Sequence, residues 1–289
     1  MRLALGTVQF GLDYGVANQR GQVTSAEAKS ILAEARANGM TMLDTAIAYG
    51  DSEQRLGEIG IPGWQVVSKL PAVPDNCQDI TRWVGECVRG SLQRLKIPSL
   101  HGLLLHRPQQ LLQEGGDELY AALQQIRREG LVRKTGISIY GPDELDALCP
   151  RYSFELVQSP FSLVDRRLLR SGWLDKLTGQ GTEVHVRSIF LQGLLLMSST
   201  ERPRKFDRWG ALWSRYEAWL GQVGLSPLQV CVRYALSVAA IGQVVVGVDS
   251  LAQLREITQA ANGICPVVPS ELTSEEPDLV SPARWAVLA

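Results

Sequence analysis

The chain of 289 residues is 45% hydrophobic and 20% charged, which provides for a sizeable buried core and excludes intrinsic disorder as a description of the whole. With 29 Lys and Arg against 30 Asp and Glu, the net charge of -1 offers no field to draw in nucleic acid or an acidic membrane, so a small-molecule partner is expected. The five cysteines form no CxxC pair and read as reduced thiols; with no leader pattern and no apolar run of about 18 residues, the expected location is the cytoplasm.

LALGT, Leu3 to Thr7, is short, apolar and broken by Gly6, as a buried strand opening into a loop would be. A helix is predicted from Thr24, where Thr24 and Glu27 have the spacing of a capping box. Ala28, Ile31, Leu32 and Ala35 recur at helical spacing, and Gly39 sits where a left-handed cap ends the helix. TMLDTA from Thr41 reads as strand, a helix begins near Ser52, and WQVVSK ends a third strand at Lys69. A helix from Asp79 to Leu95 carries Ile80, Val84, Val88, Leu92 and Leu95 on one stripe. GLLLH is a fourth strand, Glu118 to Glu129 a helix, and KTGISI a fifth strand, after which Pro142 occupies a first-turn position. FELVQ and TEVHVR are the sixth and seventh strands. The charged stretch Ser198 to Trp209 then interrupts the pattern, as a loop over a site would, and precedes a helix whose Trp209, Trp213, Tyr216 and Trp219 suit core packing. Ser226 and Pro227 cap a helix to Leu236, QVVVGV from Gln243 is the last strand, and a last long helix starts at Ser250.

Eight strands, starting near residues 3, 41, 64, 101, 134, 154, 182 and 243 and nearly all separated by helices, predict a closed parallel (β/α)8 TIM barrel, with 1–289 as one domain. A doubly wound open sheet is the alternative, but no GxGxxG follows an early strand. In a parallel barrel the active site lies at the C-terminal ends of the strands. Asp44, Lys69 and His106 end the second, third and fourth strands, and Tyr49 follows Asp44 in its loop. Singly, each has a plain structural use, as a helix cap, a solvated loop residue or a core histidine. Together they form a chemical set: Asp44 pairs the buried Lys69, the Lys69 ammonium favours ionisation of the Tyr49 phenol, and a neutral His106 orients a carbonyl oxygen. His101 and His185 have no acid or thiol at ligand spacing, so no metal site is expected.

DTAIAYGDSEQRLG (Asp44 to Gly57), VVSK, LLLH, TGIS, VQSPFSLVDRR (Val157 to Arg167) and GVDSLAQLREI (Gly247 to Ile257) together make the chain resemble the aldo-keto reductase family over most of its length. The resemblance implies an eight-stranded barrel that reduces an aldehyde or ketone with NAD(P)H, with Tyr49 as proton donor, Lys69 and Asp44 tuning it, and His106 orienting the carbonyl. It further implies that Ser138 and Gln158 hold the nicotinamide carboxamide, while Ile139 stands where the family has Asn. Arg187 and Ser188 stand where the family has an aromatic residue followed by Ser. A guanidinium plane can stack on the nicotinamide in place of that ring, and its charge disfavours the oxidised form. Gly6, Thr7, Gly193, Gly247, Val248, Asp249, Gln253 and Glu256 complete the implied cofactor contacts.

NADPH is the cofactor the resemblance favours, with Arg202, Arg204 and Lys205 of the charged loop as a source of phosphate contacts; NADH is the alternative, because Asp249 beside a phosphate is unfavourable. Phe10 and Tyr14 are expected at the substrate mouth, and polar loop residues such as Gln9 and Gln192 favour a hydroxylated carbonyl substrate such as a sugar-derived aldehyde. The competing readings are an NADPH-binding barrel that serves as a sensor or regulatory subunit, and a barrel isomerase or lyase sharing only the fold. Nothing in the pattern marks an oligomeric interface.

Overall fold

The computed structural model describes residues 1–15, 18 and 20–288. Strand and helix alternate in chain order: β1 (Leu3–Gly6), α1 (Ser25–Ala37), β2 (Met42–Asp44), α2 (Ser52–Ile59), β3 (Gln65–Leu70), α3 (Ile80–Leu95), β4 (Leu100–Leu105), α4 (Gly116–Arg128), β5 (Val132–Ser138), α5 (Asp143–Leu148), β6 (Leu156–Pro160), α6 (Trp173–Gly179), β7 (Glu183–Arg187), α7 (Gly210–Val223), α8 (Pro227–Ser237), β8 (Gln243–Gly247) and α9 (Leu251–Ala260). Every neighbouring pair of strands is parallel, and β1 pairs with both β2 and β8, so the sheet closes as a barrel. A large apolar layer fills the space between sheet and helices.

The period of two along a strand decides where the polar residues go. Ala4, Met42, Val67, Leu104, Leu156 and Val245 form an apolar cluster of their own inside the barrel. Two residues further along the same strands stand Gly6, Asp44, Lys69, His106, Gln158 and Gly247, which therefore sit above that plug at the C-terminal end.

Local signals hold with adjustments. Asp79 and Ser250 cap α3 and α9 with their side chains, and Ser226 with Gln229 closes a full capping box on α8. The Thr24 box is only half made: Thr24 accepts the Glu27 N–H, but the Glu27 carboxylate accepts the Leu251 N–H at 2.7 Å. The neighbouring helix start offers a first-turn donor that competes for it. Pro142 is the N-cap of α5 rather than a residue inside it, and β6 begins at Leu156, with Phe154 before it packed in the apolar layer.

Two expectations need correction. His101 and His185 do meet an acid: Glu183 accepts from His185 Nε2 at 2.6 Å and Lys134 Nζ at 2.6 Å, and lies 3.1 Å from His101 Nε2. Tertiary pairing at the N-terminal end of the barrel makes this cluster, and the ammonium on the same carboxylate suits charge pairing rather than metal binding. The charged stretch 198–209 is packed instead of poised over a site. Arg202 lies 4.3 Å over the Trp213 ring and pairs with Glu217, Lys205 donates to the Trp285 carbonyl, and Arg208 pairs with Asp278. Trp209, Trp213, Tyr216 and Trp219 are buried, as core packing requires. Among the described residues no helix is long and apolar enough to cross a membrane.

Candidate active site

Tyr49 stands on a tight turn after β2, and two glycines fix that turn against the loop after β1. Gly50 has φ of +54°, and a Cβ there would lie 2.2 Å from the Gly11 carbonyl oxygen. A Cβ on Gly11 would in turn lie 1.8 Å from the Tyr49 carbonyl oxygen, so the two backbones touch only because both residues lack side chains. Ser52 Oγ donates to the Thr7 carbonyl at 2.9 Å and ties the start of α2 to the end of β1. Buried Glu53 accepts from Ser68 and Ser91 and is paired by Arg94, which locks α2 to β3 and α3. Within the sequence motif, Ser52 and Glu53 therefore hold the frame while Asp44 and Tyr49 face the cavity.

Lys69 is wholly buried, and its Nζ donates to Asp44 Oδ1 at 2.6 Å and to the Thr45 carbonyl at 2.9 Å. The ammonium lies 5.0 Å from the Tyr49 ring centroid. Burial alone would push the Lys69 pKa down, but Asp44 and then Tyr49 outweigh it and hold the amine above its ordinary value, as a cation. The second oxygen of Asp44 accepts from Gln158 Nε2 at 2.6 Å, and Gln158 accepts from Ser138 Oγ at 3.4 Å. His106 meets Tyr49 edge to face, with ring centroids 6.0 Å apart. Burial, reinforced by the charges of Lys69 and Arg187, lowers the His106 pKa from 6.5 to about 4, which leaves a neutral imidazole.

Arg187 projects from the end of β7 over the Tyr140 ring, 5.2 Å from its centroid, and donates to the Ile139 carbonyl at 3.0 Å. The loop that follows holds Ser188, Leu191 and Gln192 at positive φ, a strained backbone for side-chain-bearing residues that the burial of Ile189 and Leu191 within it helps to keep in place.

These groups open on one cavity of about 720 Å³, within the range of small-molecule sites. Asp44, Tyr49, Lys69, His106, Tyr140 and Arg187 mark one part of its wall, and Gly247, Asp249, Gln253 and Glu256 mark another. Of the cofactor contacts expected from sequence, Gly6, Thr7, Arg187, Ser188, Gly193, Gly247, Asp249, Gln253 and Glu256 line it. Ser138, Gln158 and Val248 are buried outside that lining, with the Gln158 amide engaged by Asp44. Phe10, expected at the mouth, is a fully buried core residue, because the loop after β1 turns it into the apolar layer; Tyr14 does line the cavity and accepts from Gln192 Nε2 at 2.7 Å. Tyr140, Asn18, Pro282 and Ala283 also line it without having been foreseen. Tyr140 directly follows the TGISI strand and was within reach of sequence reasoning, whereas nothing in the sequence places Pro282 in the cavity wall.

The wall offers a dinucleotide unused acceptors beside a closely packed glycine: a Cβ at Gly247 would fall 2.7 Å from Nε2 of Gln9, whose side chain lies against that backbone. Gln9 Oε1 and Asp249 Oδ1 are buried without a hydrogen-bond partner, two acceptors that a ligand rich in hydroxyl and amide donors would satisfy.

Comparison with known proteins gives concordant relationships. The sequence model described as the Aldo/keto reductase family matches residues 2–269. The uncharacterized oxidoreductase YqkF of Bacillus subtilis is 28% identical over 275 residues, covering 86% of this chain and 85% of the relative. Among solved structures, the holo form of aldo-keto reductase AKR11C1 from Bacillus halodurans aligns with a TM-score of 0.73 at 20% identity, covering 95% of this chain and 94% of that one. PA4992 from Pseudomonas aeruginosa aligns with a TM-score of 0.66 at 24% identity, covering 90% and 89%.

Proposed function

The chain belongs to the aldo/keto reductase family and is a nicotinamide-dependent oxidoreductase, and from that premise we propose that Tyr49, His106, Lys69 and Asp44 carry the reduction of a small carbonyl compound to an alcohol. The observation that carries the reading is the convergence of these four side chains on one cavity, with Lys69 held as a cation and His106 as a neutral donor.

A bound nicotinamide supplies the hydride to the carbonyl carbon. Tyr49 gives its hydroxyl proton to the carbonyl oxygen as negative charge gathers there. Lys69 steadies the phenolate left behind, and Asp44 keeps Lys69 charged by accepting one of its N–H groups. His106 donates an N–H to the same oxygen and fixes which face of the carbonyl is presented. Gly6, Thr7, Arg187, Ser188, Gly193, Gly247, Asp249, Gln253 and Glu256 would hold the dinucleotide along the wall, with Ser138, Gln158 and Val248 reached only by local rearrangement or through the backbone.

The polar wall of Gln9, Tyr14, Asn18, Tyr140 and Gln192 supports a hydroxylated substrate such as a sugar-derived carbonyl. Five unpaired cysteines suit a reducing compartment such as the cytoplasm. The test is Tyr49→Phe assayed with a panel of hydroxylated aldehydes. Loss of the proton donor is expected to lower kcat by about 100-fold or more, with dinucleotide affinity unchanged. Retained kcat in the variant would remove Tyr49 from the chemistry.

A further inference from the structure

Charge is distributed unevenly along the cavity wall. Among the described residues lining it, the cations are Lys69 and Arg187, both at the catalytic end, and Lys69 is paired with Asp44. At the other end stand Asp249, two residues beyond the inward-facing Gly247, and Glu256 on α9. Asp249 is held in place from its backbone, whose N–H donates to Gln253 Oε1 at 2.7 Å, while its own Oδ1 is buried without a partner. The basic residues of the charged stretch do not compensate. Arg202 and Lys205 are engaged by Glu217 and the Trp285 carbonyl, and none of Arg202, Arg204 and Lys205 lines the cavity. The charged neighbours whose fields reach Asp249 are Arg20 and Asp13, of opposite sign and both outside the wall.

Resting on the reductase reading, we infer that this end of the cavity selects NADH, Asp249 accepting the free ribose hydroxyls of the adenosine half and refusing a 2′-phosphate. A carboxylate is acceptor-only and can take two hydroxyl donors at once, which fills the vacant Oδ1. A phosphate dianion at the same place would meet Asp249 and Glu256 with no wall cation to neutralise it, and like charges in a partly desolvated site repel strongly. Burial already pushes the Asp249 carboxyl above its ordinary pKa, so its charge is costly there even before a second anion arrives. The choice reverses the expectation of NADPH that the family resemblance raises.

Fluorescence titration of the purified protein with NADH and NADPH at neutral pH tests this without turnover. ADP-ribose and its 2′-phosphorylated counterpart, used as competitors, report on the adenosine end alone. NADH is expected to bind at least 10-fold more tightly than NADPH. Asp249→Asn, nearly isosteric, is expected to weaken NADH by about 10-fold and leave NADPH no weaker, so that discrimination collapses. Equal or tighter binding of NADPH by the unaltered protein overturns the inference, as does a preference unchanged in Asp249→Asn. NADPH binding that is tight and lost in Arg20→Ala would overturn it too and assign the phosphate to Arg20. If neither dinucleotide binds, the reductase reading falls and this inference with it. Should Asp249→Asn fail to fold, the preference of the unaltered protein for ADP-ribose over its phosphorylated form still decides.

Discussion

Lys69 is a cation taken out of water, and a lone ammonium in that position would shed its proton. Asp44 prevents this with a 2.6 Å contact, and Gln158 on the far oxygen of Asp44 keeps the carboxylate aimed at it. His106 stands in the opposite state, neutral because burial and the neighbouring Lys69 and Arg187 charges lower its pKa to about 4. The folded value lies below the ordinary 6.5, so between pH 6.5 and 4 the unfolded chain takes up a proton that the native site refuses, and this histidine's contribution erodes stability as pH falls through that window. Activity should therefore persist through mild acid, with a His106 inflection in kcat/KM near pH 4. A proton NMR titration of the three histidines, with His106→Gln to assign the signal, checks it; an inflection near 6.5 that vanishes in the variant would contradict it. Asp44, Tyr49, Lys69 and His106 were legible in the sequence because each sits at or just after a strand end. The reach of Gln158 to Asp44 was not, since 114 positions separate the two and only barrel closure brings them together.

A strand can carry charged residues at both of its ends, so that one element serves both ends of the barrel. β7 shows this most clearly, with Glu183 and His185 at its start and Arg187 at its end. Burial opposes the charge of Glu183, but hydrogen bonds from His101, His185 and Lys134 prevail and hold its carboxyl far below the ordinary range. A depressed carboxylate stabilises the fold at any pH above about 4.3, the value for an unfolded chain, and that contribution is lost only as acid protonates it. Glu183→Gln is expected to cost about 3 kcal/mol of stability at neutral pH and to flatten the acid side of the stability curve. Urea unfolding at several pH values measures both, and unchanged kcat would show that the cluster serves the frame alone. Sequence periodicity located these strands and helices because apolar spacing is a local property. It missed the Glu183 cluster and the diversion of Glu27 to Leu251, because competition for a hydrogen bond depends on which elements become neighbours.

At the scale of the molecule, the segment after residue 269 lies beyond the match to the family model yet contributes to the site. Trp285 packs against Phe206 with ring centroids 4.8 Å apart, Trp209 Nε1 donates to Glu276 at 2.9 Å, and Pro282 and Ala283 line the cavity. Removing residues 270–289 exposes the apolar surface that Leu272, Leu279, Val280 and Trp285 cover, each worth about 2 kcal/mol when fully buried. We expect a Tm lower by about 10 °C or more, an intact barrel by far-ultraviolet circular dichroism, and raised KM with smaller loss in kcat. Unchanged KM would show that the segment props up the charged stretch and leaves ligand binding alone. The sequence by itself determined the closed barrel, the order of its elements and the placing of the four residues proposed for the chemistry at or just after strand ends, because strand period and strand ends are read residue by residue. The tertiary structure alone decided that 198–209 is clamped by the C-terminal segment, that Phe10 is core while Tyr140 is wall, and that among the described residues no cation lines the acidic end of the cavity. Those outcomes depend on which distant side chains meet across a closed sheet, and proximity of that kind is a property of the folded chain.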